Sequence, residues 1–242
     1  MSSIVTAFFR EERYASAKMQ LVYACLFPFF TILALGIDSV SFAHQYFDGR
    51  QITNVLALLY FAGFYLVSNV PLRKLMLVMV GLSYIGELIF CKLLGMYEYR
   101  TPMIPLYVPF GHAIVYASGY VYAHTVWSFE KELHLRKYFL VFFAVLFLGV
   151  GIFLKDYFSL VFGVLFFWLL KRKKWQNLYC FIALCVIYIE LVGTYFQCWA
   201  WVPNVFGYIP TSNPPMGAVF FYAGGDVLLA KIVKVWDNNK LK

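Results

Sequence analysis

The sequence predicts an all-α protein: a polytopic membrane helix bundle of eight transmembrane helices, built as two parallel four-helix repeats. Three observations lead there. Hydrophobic residues make up 62% of the chain and charged residues 13%, and mean hydropathy is +0.72, so long apolar segments rather than one water-facing core must absorb the sequence. The basic residues fall almost entirely on one side of the apolar runs. One motif occurs twice, in the same order of parts. At 242 residues, with about 20 needed for each crossing, the chain has room for seven or eight helices and little beside them.

Residues 1 to 18 carry Arg10, Glu11, Glu12, Arg13 and Lys18. No small-residue cleavage site follows the first apolar run, so they read as a retained cytoplasmic segment and not a signal peptide. The apolar runs predict spans at 19–37, 52–70, 74–95, 109–127, 138–154, 157–170, 176–198 and 215–236. The sixth is short, and 138–170 read as one tilted helix would leave seven spans. Charge favours eight. With eight, Arg10, Arg13, Lys18, Arg73, Lys74, Lys131, Arg136, Lys137, the KRKK run at 171–174, Lys231, Lys234, Lys240 and Lys242 share one side, against Arg50, Arg100 and Lys155 on the other. Seven spans would throw KRKK across the membrane, whereas short cytoplasmic loops collect positive charge. Both termini are therefore expected in the cytoplasm of a multi-pass cell-membrane protein, taken to be of the bacterial inner membrane, with one repeat over 19–130 and the second over 131–242.

The net charge of +8 is accounted for by this topology and by anionic headgroups, so nucleic acid is not expected as a partner. The five cysteines, Cys25, Cys91, Cys180, Cys185 and Cys198, sit in apolar runs without paired metal spacing, and no metal or cofactor is expected. A bridge between Cys91 and Cys198 is conceivable, because each follows a repeated Glu. Four scattered His cannot build the cluster of a metal-dependent desaturase. Lys231 in the last helix lies near its basic end, where snorkelling explains it without a retinal.

In the repeated motif Glu87 corresponds to Glu190, Tyr97 and Tyr99 to Trp199 and Trp201, PFG at 109–111 to PMG at 215–217, and YASG at 116–119 to YAGG at 222–225. An ionisable group at depth costs at least about 2.5 kcal/mol on insertion scales and so faces the bundle interior or a wet cavity. Glu87, Glu190 and Asp226 are therefore the candidate catalytic acids of one cavity in the outer half of the membrane. His112, Tyr97, Tyr99, Tyr116, Trp199, Trp201, Asn213 and Tyr222 are candidates for substrate binding. Interfacial anchoring accounts for the Trp and Tyr residues equally well, and helix-to-helix hydrogen bonding for the two Glu. His112 lies at the depth of Glu87. Ala218 replaces it in the second copy and Asp226 replaces Tyr120, so the halves diverge in their polar groups. The Pro-rich loops 96–108 and 199–214, nearly without charge, are expected to fold over the cavity as lids. Asn213 should serve backbone groups that the Pro residues cannot.

A desolvated carboxyl next to a second one can hold its proton at neutral pH and become a donor, and aromatic faces stabilise a cation formed beside it. The run GELIFCKLLGMYEYRTPMIPLYVPFG, from Gly86 to Gly111, resembles the motif of membrane carotenoid hydratases and of the duplicated membrane carotenoid cyclases. The placement of Glu87 in the third helix and Asp226 in the last is similar to the two acids of small membrane-integral terpene cyclases. The resemblance implies an isoprenoid or other membrane lipid as substrate and acid-initiated cyclisation, hydration or isomerisation, with Glu87, Glu190 and Asp226 as the matching positions. The SNPPMG loop departs from those enzymes and looks like a group of bacterial membrane proteins of undefined role. Repeats, buried acids and the GG pair at 224 and 225 also suit a proton-coupled or small-molecule transporter, and an accessory membrane protein is the third reading. Oligomeric state is not set by the sequence.

Overall fold

A computed structural model describes residues 11–239; the first part of the basic N-terminal segment, with Arg10, and the C-terminal Lys240 and Lys242 lie outside the described residues. Within them the chain forms eight long helices: α1 (Glu11–Ile37), α2 (Arg50–Val67), α3 (Val70–Glu87), α4 (Tyr107–Ala123), α5 (Glu132–Phe153), α6 (Tyr157–Lys171), α7 (Gln176–Tyr195) and α8 (Val219–Asn239). Short helices at Val40–Gln45 and Val126–Glu130, a π-helical turn at Leu88–Leu93 and a 3₁₀ turn at Met216–Ala218 complete the helical part. Six segments are long and apolar enough to cross a membrane: Ala17–Ile37, Arg50–Val67, Val70–Leu93, Glu132–Phe153, Gln176–Tyr195 and Met216–Asn238. They mark the chain as a membrane protein. α6 is apolar but shorter.

Each helix sits where its residues dictate. In α5 the residues Phe139, Phe143, Phe147 and Gly151, one turn apart, are buried, while Tyr138, Val141, Val145, Leu148 and Ile152 are exposed on the other face, the pattern of a helix with lipid on its outer side. α4 has no such face. Twelve of its residues are buried, from Tyr107 to Ala123, because α1, α2, α3 and α7 surround it. Gly119 makes the α4–α7 approach possible, since a Cβ there would stand 2.7 Å from the backbone of Ile182. Pro28 interrupts α1 and cannot donate to the carbonyl of Ala24; the Tyr122 hydroxyl of α4 donates to that oxygen instead, at 2.5 Å. Asn69 caps α3 by accepting from the Leu72 N–H, and Asp156 caps α6 by accepting from that of Ser159.

Each stretch expected from hydropathy overlaps one of these helices, although α1 begins eight residues and α5 six residues earlier than expected, and six segments rather than eight reach membrane length. The connections after α3 and α7 contain strands that hydropathy did not announce. β1 (Tyr97–Tyr99) pairs antiparallel with β2 (Trp199–Trp201), setting Tyr97 opposite Trp201 and Tyr99 opposite Trp199. The ladder ends in two matched bonds, Arg100 N–H to the Cys198 carbonyl at 2.9 Å and Val202 N–H to the Met96 carbonyl at 3.1 Å. Laying Tyr97–Tyr99 on Trp199–Trp201 turns each bond into the other. β3 (Asn204–Val205) and β4 (Ile209–Pro210) close a small hairpin in the second loop.

Candidate functional site

Both acids of the motif arrive at one place because each stands near the end of its helix, shortly before one strand of the ladder. Glu87 is the last α-helical residue of α3, and Glu190 stands in the last turns of α7. Tyr97 and Tyr99 alternate with Glu98 along β1, so both rings fall on one face, and Trp199 and Trp201 do the same around Ala200. The hydroxyls of Tyr97 and Tyr99 donate to Glu87 Oε2 at 2.9 and 2.7 Å. The indole N–H groups of Trp199 and Trp201 donate to Glu190 Oε2 at 2.9 and 3.1 Å. One residue more separates the acid from its aromatic pair in the first copy than in the second. The first copy is also the one wound as a π-helical turn, which takes up an extra residue without rotating the chain beyond it.

The remaining oxygens are used differently. Glu87 Oε1 shares a hydrogen bond with His112 Nε2 at 3.0 Å, and Glu190 Oε1 accepts from the Tyr222 hydroxyl at 3.3 Å. His112 and Tyr222 are stacked, centroids 5.1 Å apart and planes within 11°, so the two acid clusters meet through this ring pair. Glu87 and Glu190 are 3% and 6% exposed. They line a cavity of about 170 Å³ whose other walls include Phe27, Phe30, Met79, Phe90, Met96, Tyr107, Val115, Ile189, Ala218 and Phe221. Among the described residues no Lys or Arg lines it, and His112 is its one side chain able to become a cation. A cavity of ~150 Å³ with apolar walls takes up benzene, so this space admits a ring or a branched end group, not a whole long-chain lipid.

Eight of the residues singled out from the sequence converge here: Glu87, Glu190, His112, Tyr97, Tyr99, Trp199, Trp201 and Tyr222. Three do not line the cavity. Asn213 lies behind it, its side-chain oxygen accepting from the backbone N–H of Trp201 at 3.0 Å and so fixing that strand from the lid. Tyr116 is buried further along α4, beyond His112. Asp226 is 5% exposed, one turn past Tyr222, and neither of its carboxylate oxygens has a hydrogen-bond partner. Helix geometry explains its exclusion: α8 meets the cavity with Phe221, Tyr222 and Gly225, and Asp226 falls outside that arc. Lys92 points outward and reaches the Pro102 carbonyl.

Two anchors hold the lids, and neither was read from the sequence. Asp38, 1% exposed at the end of α1, accepts from Arg100 at 2.7 Å and from the Tyr107 hydroxyl at 2.7 Å; Arg100 also donates to Asp48 at 2.6 Å. Asp156 accepts from the Ser159 hydroxyl at 2.6 Å and from that of Ser212 at 2.5 Å, and Ser159 Oγ accepts from the Gly217 N–H at 2.8 Å. The aromatic alternation Tyr-Glu-Tyr and Trp-Ala-Trp was the available signal for the ladder, being the period of a strand. The five cysteines are free, Cys91 and Cys198 among them. Among the described residues no cluster of three or more His, Cys, Asp and Glu side chains is placed to hold a metal ion. No family model matches the chain, and no curated protein or solved structure shows significant similarity to it.

Proposed function

We propose that this chain is an eight-span protein of the cell membrane, duplicated from a four-helix unit, with both termini in the cytoplasm. In this reading it binds the end group of an isoprenoid or similar lipid and catalyses acid-initiated cyclisation, hydration or isomerisation. The observation that carries the reading is that Glu87 and Glu190 share one apolar cavity, each satisfied by neutral donors, with His112 between them. Two carboxylates cannot both stay charged in such a cavity without a cation, and a proton shared by Glu87 and His112 supplies one at the lowest desolvation cost.

The two acids divide the work by their partners. Trp199 and Trp201 are donors only, so Glu190 Oε2 is held as an acceptor and suits stabilising positive charge across the cavity, while Oε1, facing the Tyr222 hydroxyl, is the oxygen open to a proton between turnovers. Glu87 bonds a ring that can carry a proton, and the pair suits delivering one. The aromatic rings of the ladder, with Phe90 and Phe221, offer π faces to a carbocation. The isoprenoid class rests on the resemblance of Gly86 to Gly111, and the matched ladder bonds support the duplication.

The test is the lipid extract that co-purifies with the protein, read by mass spectrometry. Glu87→Gln should leave the fold intact and enrich a precursor differing in mass or retention from the wild-type lipid, with conversion reduced about 10²- to 10⁴-fold, the usual contribution of a positioned acid. A transporter would show unchanged lipid and lost proton coupling. Acids with a structural role alone would tolerate Gln and lose stability with Ala.

A further inference from the structure

Among the described residues Asp226 is the one buried acid that neither the cavity nor its lids use. It is 5% exposed, and both carboxylate oxygens are without a partner, while every other buried acid of the described residues makes at least two hydrogen bonds or shares in an ion pair. A buried carboxylate with nothing to donate to it costs several kcal/mol, so evolution would remove it or use it as a carrier of a proton. Its surroundings favour use. On α4 the residues His112, Tyr116, Tyr120 and His124 recur every fourth position and form a column on one face. Tyr116 and Tyr120 have ring centroids 6.1 Å apart, and Tyr120 stacks on His124 at 3.8 Å. Opposite the column, Tyr222 and Asp226 stand one turn apart on α8, and Tyr222 touches both acid clusters, donating to Glu190 and stacking on His112.

We propose that Asp226 is a proton-carrying station that reloads the two-acid cavity from the Lys173 end of the bundle, passing its proton through Tyr222. The step balances without any other reactant. Asp226 gives its proton to the Tyr222 oxygen, Tyr222 gives its own to Glu190 Oε1, and Asp226, now a carboxylate, is reprotonated from solution. The two residues are one helical turn apart along α8, about 5.4 Å of rise, and the transfer needs a side-chain rotation or a bridging water to join the carboxyl to the hydroxyl. The charged and titratable groups that act on Asp226 are Tyr116 from α4, Tyr179 from α7 and Lys173 from the turn before α7. Lys173 is the cation that would favour the transient carboxylate, and its ammonium is held over the Tyr179 ring at 5.4 Å. The inference rests on the proposed acid chemistry only for its purpose, since each proton spent on a substrate must be replaced or returned.

Infrared spectroscopy of the full chain in nanodiscs tests it without any substrate. A protonated-carboxyl C=O band should vanish in Asp226→Asn, which is nearly isosteric with the neutral acid. On transfer to deuterated buffer, the isotope shift of the Glu190 signal, identified by its loss in Glu190→Gln, should slow about 100-fold in Asp226→Asn, the lower end of what a positioned proton donor contributes. Tyr222→Phe should slow it comparably while leaving the Asp226 band in place, which separates the relay from a failure to fold. Asp226→Glu should restore the exchange. An ionised Asp226 in the wild type, or unchanged Glu190 exchange in Asp226→Asn, overturns the inference. Unaltered co-purified lipid in Glu87→Gln would instead overturn the acid chemistry and leave the exchange result standing.

Discussion

At the scale of single residues, the two carboxylates are specified by their donors. Trp199→Phe keeps an aromatic ring but removes one N–H from Glu190, and removing a donor from a buried acceptor costs about 1–3 kcal/mol. A thermal melt in nanodiscs should show that loss, and Glu190→Gln in the same background should recover part of it. The Asp38, Arg100 and Asp48 group separates a buried pair from an exposed one. Arg100→Gln strips a partner from the buried Asp38 and should destabilise by about 3–5 kcal/mol, whereas Asp48→Asn breaks the outer pair and should cost no more than about 1 kcal/mol. The hydrogen bond from Arg100 holds the Asp48 carboxyl below the usual carboxylate range. A depressed pKa means that the contribution of Asp48 is complete above the unfolded value, near ~3.9, and is lost as pH falls through the lower folded one. Acid melts should therefore converge for wild type and Asp48→Asn, and a difference persisting in acid would contradict the assignment.

At the scale of elements, the ladder between β1 and β2 joins loops about a hundred residues apart and closes the cavity. Glu98 and Ala200 face each other on its exposed side. Opposed residues of an antiparallel pair lie within the Cα separation a disulfide spans, so a Glu98→Cys, Ala200→Cys double variant should cross-link readily on mild oxidation. Absence of the cross-link, or rapid protease cleavage of both loops in the folded protein, would mean that they are not lids. Helix contacts give a second expectation. A methyl group at Gly119 would meet the Ile182 backbone, which cannot step aside, so Gly119→Ala should cost about 1–3 kcal/mol through separation of α4 from α7. At Gly193 the added methyl would strike the Trp199 ring and turn it away from Glu190, which tryptophan fluorescence can follow.

For the whole molecule, six segments long and apolar enough to cross mark a membrane protein, and the proposed orientation rests on the charge distribution. Single cysteines placed within 171–174 should react with a membrane-impermeant reagent only from the cytoplasmic side; labelling from outside would replace eight spans by seven. The likeness between the two motif segments is strongest in the ladder and weakest in the helices after it. α4 is surrounded and carries His112, whereas α8 keeps a lipid-facing side, with Leu228 and Val235 exposed, and carries Asp226, with Ala218 just before it in place of the histidine. The two acid clusters therefore form one asymmetric site.

Class, the approximate helical stretches and the correspondence of Glu87 with Glu190 were legible in the sequence, because hydropathy is a local sum and two occurrences of a motif can be compared residue by residue. So were the Tyr and Trp pairs, as members of the motif. Their hydrogen bonds to the acids were not, since these depend on two loops pairing across the molecule and on a π-helical turn that adjusts the phase of one of them. Only the packed bundle decides that α4 is central, that His112 meets Glu87 through space across 25 residues of chain, and that Asp38 and Asp156 anchor the lids. It also decides that Asp226, equal to the two Glu in hydropathy and helix position, stands apart from them. A residue's depth depends on its own segment, but its neighbours depend on the rotation of every helix around it, and one helical position, about 100°, is enough to turn a carboxyl from the cavity wall into the protein behind it.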